Sequence, residues 1–168
     1  MVEMFEVGEL VVYGNKGVFK VEAIGVLDGM FQSGKEYYTL RSVRSSSQMV
    51  YIPVQSEKSP LRKVITKEQS LDLLERLPGL GQLEIKNEKL REQTYRESMD
   101  KHECEEWMKV LKTLYNRMQE RRLRGKRATS MDERYMQVAK KCLLEEFAVA
   151  MSISTDEVEQ VIKKKIHE

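Results

Sequence analysis

The chain has 168 residues, with 29 Lys and Arg against 27 Asp and Glu, a formal charge of +2 and 40% hydrophobic residues. That length suits one domain or two small ones, since a single core seldom grows past roughly 100–200 residues. No apolar run reaches the ~18–20 residues of a membrane span, the opening MVEMFEVGEL is acidic where a secretory leader is basic, and two cysteines make no disulfide framework. The expectation is therefore a soluble, cytoplasmic protein without a membrane partner, with Cys104 and Cys142 reduced and semi-buried.

The first part reads as β structure. Six of the nine glycines (8, 14, 17, 25, 29 and 34) fall before residue 35. Leu10-Val11-Val12-Tyr13, a Gly14-Asn15-Lys16-Gly17 turn and residues 18–24 form a strand–turn–strand pattern in which glycine supplies positive φ. Asp28-Gly29 and Ser33-Gly34 bracket a second loop before a strand at 36–43. Ser45-Ser46-Ser47 breaks that run and is expected to detach the next strand, 48–54, from its neighbour. Pro53 cannot donate to a ladder, so it is expected to end its strand or lie on an edge. Four or five short antiparallel strands make a bent sheet or small open barrel.

After Thr66 the period changes from two to about 3.6. Thr66 and Gln69 have capping-box spacing, and Leu71, Leu74 and Leu77 repeat at helical intervals until Pro78-Gly79 and Gly81. Cys104, Trp107/Met108, Leu111, Leu114/Tyr115 and Met118 form an apolar stripe, which puts Trp107 in the core. Ser130 with Glu133, and Ser154 with Glu157, are read as caps of two further helices. The fold expected is α+β: a β-rich domain at residues 1–66, then an all-α bundle at 67–168.

Catalytic signatures are absent from the sequence: no glycine-rich phosphate loop, GxSxG, HExxH or DxD occurs, and the two histidines lie 65 positions apart. The chain is read as no enzyme, with no cofactor and no metal. His102, Cys104 and the acids 103, 105 and 106 are metal-ligand types, but helical residues two apart point about 200° apart and cannot share an ion. Cys104 is instead expected in the core, with the acids complementing the helix dipole. A catalytic thiolate would need an adjacent base, and His102 is on the wrong face for Cys104.

One electrostatic feature dominates. Lys109, Lys112, Arg117, Arg121, Arg122, Arg124, Lys126 and Arg127 stand against the single acid Glu120. From 121 to 127 there is no acid, whereas a solvated helix face usually interleaves acids at i±4. The plain alternative, a solvated face paired with acids at 103–106 and 145–146, stands beside a phosphate-contact surface.

The order of the pieces carries a resemblance. Val7-Gly8-Glu9-Leu10-Val11-Val12-Tyr13, Gly17-Val18, Val21-Glu22-Ala23-Ile24, Glu36-Tyr37-Tyr38-Thr39-Leu40 and Val50-Tyr51-Ile52-Pro53-Val54 resemble the opening domain of the CarD/CdnL transcription regulators. Gln119-Glu120-Arg121, Ala139-Lys140-Lys141 and residues 143–148 are similar to the end of the family's helical domain. The resemblance implies a Tudor-like first domain that docks on the RNA polymerase β subunit, here through Met49, Val50, Tyr51, Ile52 and Pro53. It also implies a helical domain that touches promoter DNA without reading sequence and stabilises the open complex; the chain would act as a monomer. Lys89, Arg91, Arg121, Arg122, Arg124, Lys126 and Arg127 are the phosphate contacts expected on this reading.

Many members carry a tryptophan wedge for the minor groove near the start of the second C-terminal helix. Counting back from Gln119-Glu120-Arg121 without gaps, Glu88 occupies that position. Either Tyr95 or Trp107 wedges through a shifted alignment, or the wedge is lost and polymerase and backbone contacts carry the function; the second is favoured. The rival function is a polymerase-binding adaptor that does not touch DNA.

Overall fold

The computed structural model describes residues 3–27, 29 and 34–168. The chain divides into two units, Met1–Val64 and Ile65–Glu168, two residues before the boundary placed by the change of periodicity.

The first unit is an open five-stranded sheet of β1 (Leu10–Tyr13), β2 (Val18–Val26), β3 (Glu36–Ser42), β4 (Met49–Pro53) and β5 (Leu61–Lys63). The spatial order is β4-β3-β2-β1-β5, with every neighbour antiparallel. Gly14 and Gly17 take positive φ in the β1–β2 turn, a conformation in which a Cβ would be strained. Register shifts between Val21 and Ala23, a bulge that bends and twists β2 against β3. Alternation then directs Val11, Phe19, Val21, Tyr38, Leu40, Ile52 and Leu61 into one core, closed by Phe5 and Val54. Phe5 meets Tyr38 edge-on at 5.8 Å, and its N–H donates to the tyrosine oxygen at 3.1 Å.

Two expectations are corrected here. Residues 45–47 join β4 to β3 rather than detaching it. The Gln48 N–H donates to Ser45 O and the Ser42 N–H to Gln48 O, so the serines close a hairpin whose ladder runs from Arg41↔Met49 to Tyr37↔Pro53. Strand β5 has no counterpart in the sequence reading, because three residues are too few for alternation to show. The loop bracketed by Asp28-Gly29 and Ser33-Gly34 falls partly outside the described residues.

The second unit holds α1 (Lys67–Arg76), α2 (Arg91–Met99), α3 (Cys104–Leu123), α4 (Ser130–Met151) and α5 (Thr155–Ile166). Thr66 and Gln69 form the reciprocal capping box that their spacing implies. Ser154 likewise caps α5, its oxygen accepting from the Glu157 N–H. The α4 cap lies one residue earlier than read: Thr129 accepts from the Asp132 N–H, which leaves Ser130 as the first helical residue. Helix α4 packs against α1, α3 and α5, and Trp107, Leu111, Leu114, Ala139, Leu143, Phe147, Val158 and Ile162 are all buried. Each large apolar side chain so buried is worth roughly 1.5–3 kcal/mol. Leu71, expected in the α1 stripe, is exposed; Leu73 takes its place in the core. Cys104 and Cys142 are thiols outside any disulfide, fully rather than half buried. Cys104 donates to Glu146, whose other oxygen receives the Ile65 N–H.

Candidate functional site

The β4 edge is the first candidate surface. Val50 pairs with Leu40 and Ile52 with Tyr38, and the flanking Gln48 and Val54 bond to Ser42 and Glu36. In an antiparallel ladder the residues between these, Met49, Tyr51 and Pro53, aim their backbone groups away from β3. The open edge therefore offers two N–H donors, from Met49 and Tyr51, and three carbonyls. Ile52 is buried and Val50 half-buried against the core, whereas Met49 and Tyr51 lie on the outer face, Tyr51 38% exposed. The five residues grouped by sequence reasoning thus divide: Met49, Tyr51 and Pro53 face outward, while Val50 and Ile52 hold the strand down. The opposite edge, β5, is short and carries Arg62 and Lys63, features that discourage pairing.

The basic stretch is the second candidate, and the fold sorts its members. Lys112 is buried, and its ammonium donates to the carbonyls of Leu77, Pro78 and Leu80 at 2.9, 2.9 and 2.7 Å, closing the end of α1. Arg117 pairs through Nε with the buried Asp132 at 2.7 Å. Lys109 is held by Glu106. These three belong to the bundle.

The remainder crowds one turn. Helix α3 ends in a Schellman motif: the Lys126 N–H reaches Arg121 O at 2.8 Å, the Gly125 N–H reaches Arg122 O at 2.9 Å, and Gly125 has φ +72. Arg121 Nε donates to Arg127 O and braces the turn. Arg122, Arg124, Lys126 and Arg127 are exposed, and among the described residues none of them has an ion-pair or hydrogen-bond partner for its side chain. Cations in the last turn complement the helix dipole, but Lys126 and Arg127 lie beyond it and gain nothing from it. Leu123, in the middle of this turn, is 82% exposed. It is off the apolar stripe of α3, a signal that sequence reasoning passed over.

At the start of α2 the Arg91 guanidinium has partners within the chain: Nε and Nη2 fork onto Glu88 at 2.8 and 2.6 Å, and Nη1 donates to Tyr95 OH at 2.9 Å. The Tyr95 hydroxyl in turn donates to Asp132 at 3.3 Å. The Arg91 bond holds the Glu88 carboxyl below its ordinary range, and the Glu88 bond pushes Arg91 up. Burial raises the Tyr95 phenol. Lys89 is exposed in the 3₁₀ turn that precedes α2. Neither aromatic alternative reaches solvent: Tyr95 and Trp107 are fully buried, and the Trp107 indole N–H donates to Met99 O. No described helix is long and apolar enough to cross a membrane.

Two family models match the chain: the CarD-like/TRCF RID domain over residues 5–65 and the CarD C-terminal domain over residues 72–163. No curated protein matches it significantly.

Proposed function

Because the chain belongs to the CarD-like family, whose members are RNA-polymerase-interacting transcription factors, we propose that it docks on the polymerase β subunit through β4 and grips promoter DNA through the turn after α3. No catalytic step is assigned to it.

The docking mode is strand addition. Met49 and Tyr51 supply the outward main-chain bonds, their side chains and that of Pro53 supply the contact surface, and Val50 and Ile52 keep the strand in register. The DNA grip rests on one observation: Arg122, Arg124, Lys126 and Arg127 fan out from a glycine turn with no acid among them. Lys89 adds a further charge, and Arg121 contributes chiefly by bracing the turn. Such contacts orient DNA without choosing bases. Tethering to the polymerase raises the local concentration of the basic turn at the promoter, so modest affinity suffices to lengthen open-complex life.

The test is a comparison of open-complex lifetime and polymerase capture for the wild type and an Arg122→Ala/Arg124→Ala/Arg127→Ala variant. Retained capture with a shortened lifetime supports the reading. Retained capture with an unchanged lifetime favours an adaptor that leaves DNA untouched.

A further inference from the structure

We propose that Arg91 and Arg117 form a phosphate-binding subsite whose present occupant is the chain's own Glu88 carboxylate, which a DNA phosphodiester displaces. The proposal rests on the DNA-gripping reading of the turn after α3 and extends that surface back along the helix.

The asymmetry of the cluster carries the inference. Side-chain exposure is 10% for Arg91 and 69% for Glu88, so the anion is the outer member and the cation the anchored one. Arg91 is locked from behind by Tyr95, and Arg117 by Asp132. Both guanidiniums converge on one point: the Arg91 fork is bonded to both Glu88 oxygens, and Arg117 Nη1 stands 3.7 Å from Oε1. A carboxylate and a phosphate accept an arginine fork in the same bidentate geometry. Removing the carboxylate would leave a pre-aimed, partly desolvated pair of cations facing solvent.

The surroundings suit a nucleic-acid backbone. Arg91 and Arg117 line an open groove with Gln82, Asn116, Gln119 and Leu123, and the acid among the lining residues is Glu120. Arg117 and Arg121 are one helical turn apart, which joins the subsite to the exposed cations of the turn. The Arg91 fork gives up two charge-assisted bonds to Glu88, and a phosphodiester, with two acceptor oxygens and one charge, replaces them one for one.

Glu88→Ala vacates the subsite, Glu88→Gln neutralises it while keeping its bulk, and Glu84→Gln, at an exposed acid outside the cluster, adds the same charge elsewhere. Inorganic phosphate titrated into Glu88→Ala should move the Arg91 Nε–H resonance saturably, at concentrations that leave the wild type unmoved. Both Glu88 variants should release about one more counterion net on binding a duplex, because no displaced carboxylate takes a cation up, steepening the salt slope by about 0.9 and making the fall in affinity between 50 and 200 mM salt roughly threefold larger. An unmoved resonance in a folded Glu88→Ala, or an equal gain in Glu84→Gln, overturns the subsite. A saturable phosphate shift with no salt-dependent DNA binding in any variant supports the subsite and overturns the DNA reading instead.

Discussion

Arg117 on α3 and Asp132 in the first turn of α4 meet through a 2.7 Å hydrogen bond between Nε and Oδ2, the arginine partly exposed and the aspartate fully buried. The same carboxylate accepts from Tyr95, while the Asp132 N–H is capped by Thr129, so one residue joins α2, α3 and α4. Removing one partner of such a pair strands the other's charge. Asp132→Ala should lower the unfolding free energy of the helical unit by about 3 kcal/mol, measured by urea denaturation followed by far-UV circular dichroism. A drop below about 0.5 kcal/mol, the size of an ordinary surface change, would show that the arginine finds water instead.

Tyr51 lies on the outer face of an edge strand, outside the core cluster that holds Ile52. Tyr51→Glu should abolish capture of RNA polymerase while shifting stability by no more than about 0.5 kcal/mol. Ile52→Ala should instead destabilise the sheet by about 2–4 kcal/mol, since it empties part of the core. Paired calorimetric and pull-down measurements separate the two roles. A collapse of the sheet in Tyr51→Glu would make Tyr51 a structural residue.

Lys112 and the turn residues are alike in charge and opposite in role. Lys112→Met should cost about 2–3 kcal/mol, because three carbonyls would be left without their donor, and should leave the salt dependence of DNA binding unchanged. The triple change of Arg122, Arg124 and Arg127 to Ala should leave stability nearly intact and flatten the salt slope by about 0.9 for each phosphate that is no longer neutralised. Fluorescence anisotropy across a salt series reads both. A flattened slope in Lys112→Met would contradict the assignment.

The pH dependence of stability has a defined sign. The Glu88 carboxyl is lowered chiefly by its bond to Arg91, and Glu159 chiefly by its bond to Lys140. A carboxyl depressed in the folded state contributes stability that is complete above its unfolded value, near 4.5, and is lost as the pH falls through the folded one. Chemical denaturation should therefore show constant contributions from these pairs at neutral pH and a decline below about pH 4.5. Glu88→Gln should remove part of that decline. An unchanged acid limb would mean that the Glu88–Arg91 pair is as weak as a fully solvated one.

Local chemistry was legible in the chain as written. Alternating β-branched residues, glycines with positive φ, the Thr66–Gln69 and Ser154–Glu157 caps and the 3.6-residue stripes are short-range signals. They announced a β unit followed by helices, with Trp107 in the core. The acid-free basic turn at 121–127 was equally visible, because the absence of i±4 acids is a property of neighbours in sequence. What the tertiary structure alone decided is which cations are spent inside the fold. Lys112 ends on three carbonyls more than thirty positions away, and Arg117 ends on Asp132 in the next helix. The outward edge of β4 likewise depends on its register against β3. A charge count treats every lysine and arginine alike, whereas their availability is set by long-range partners, and those exist only once the helices and strands have packed.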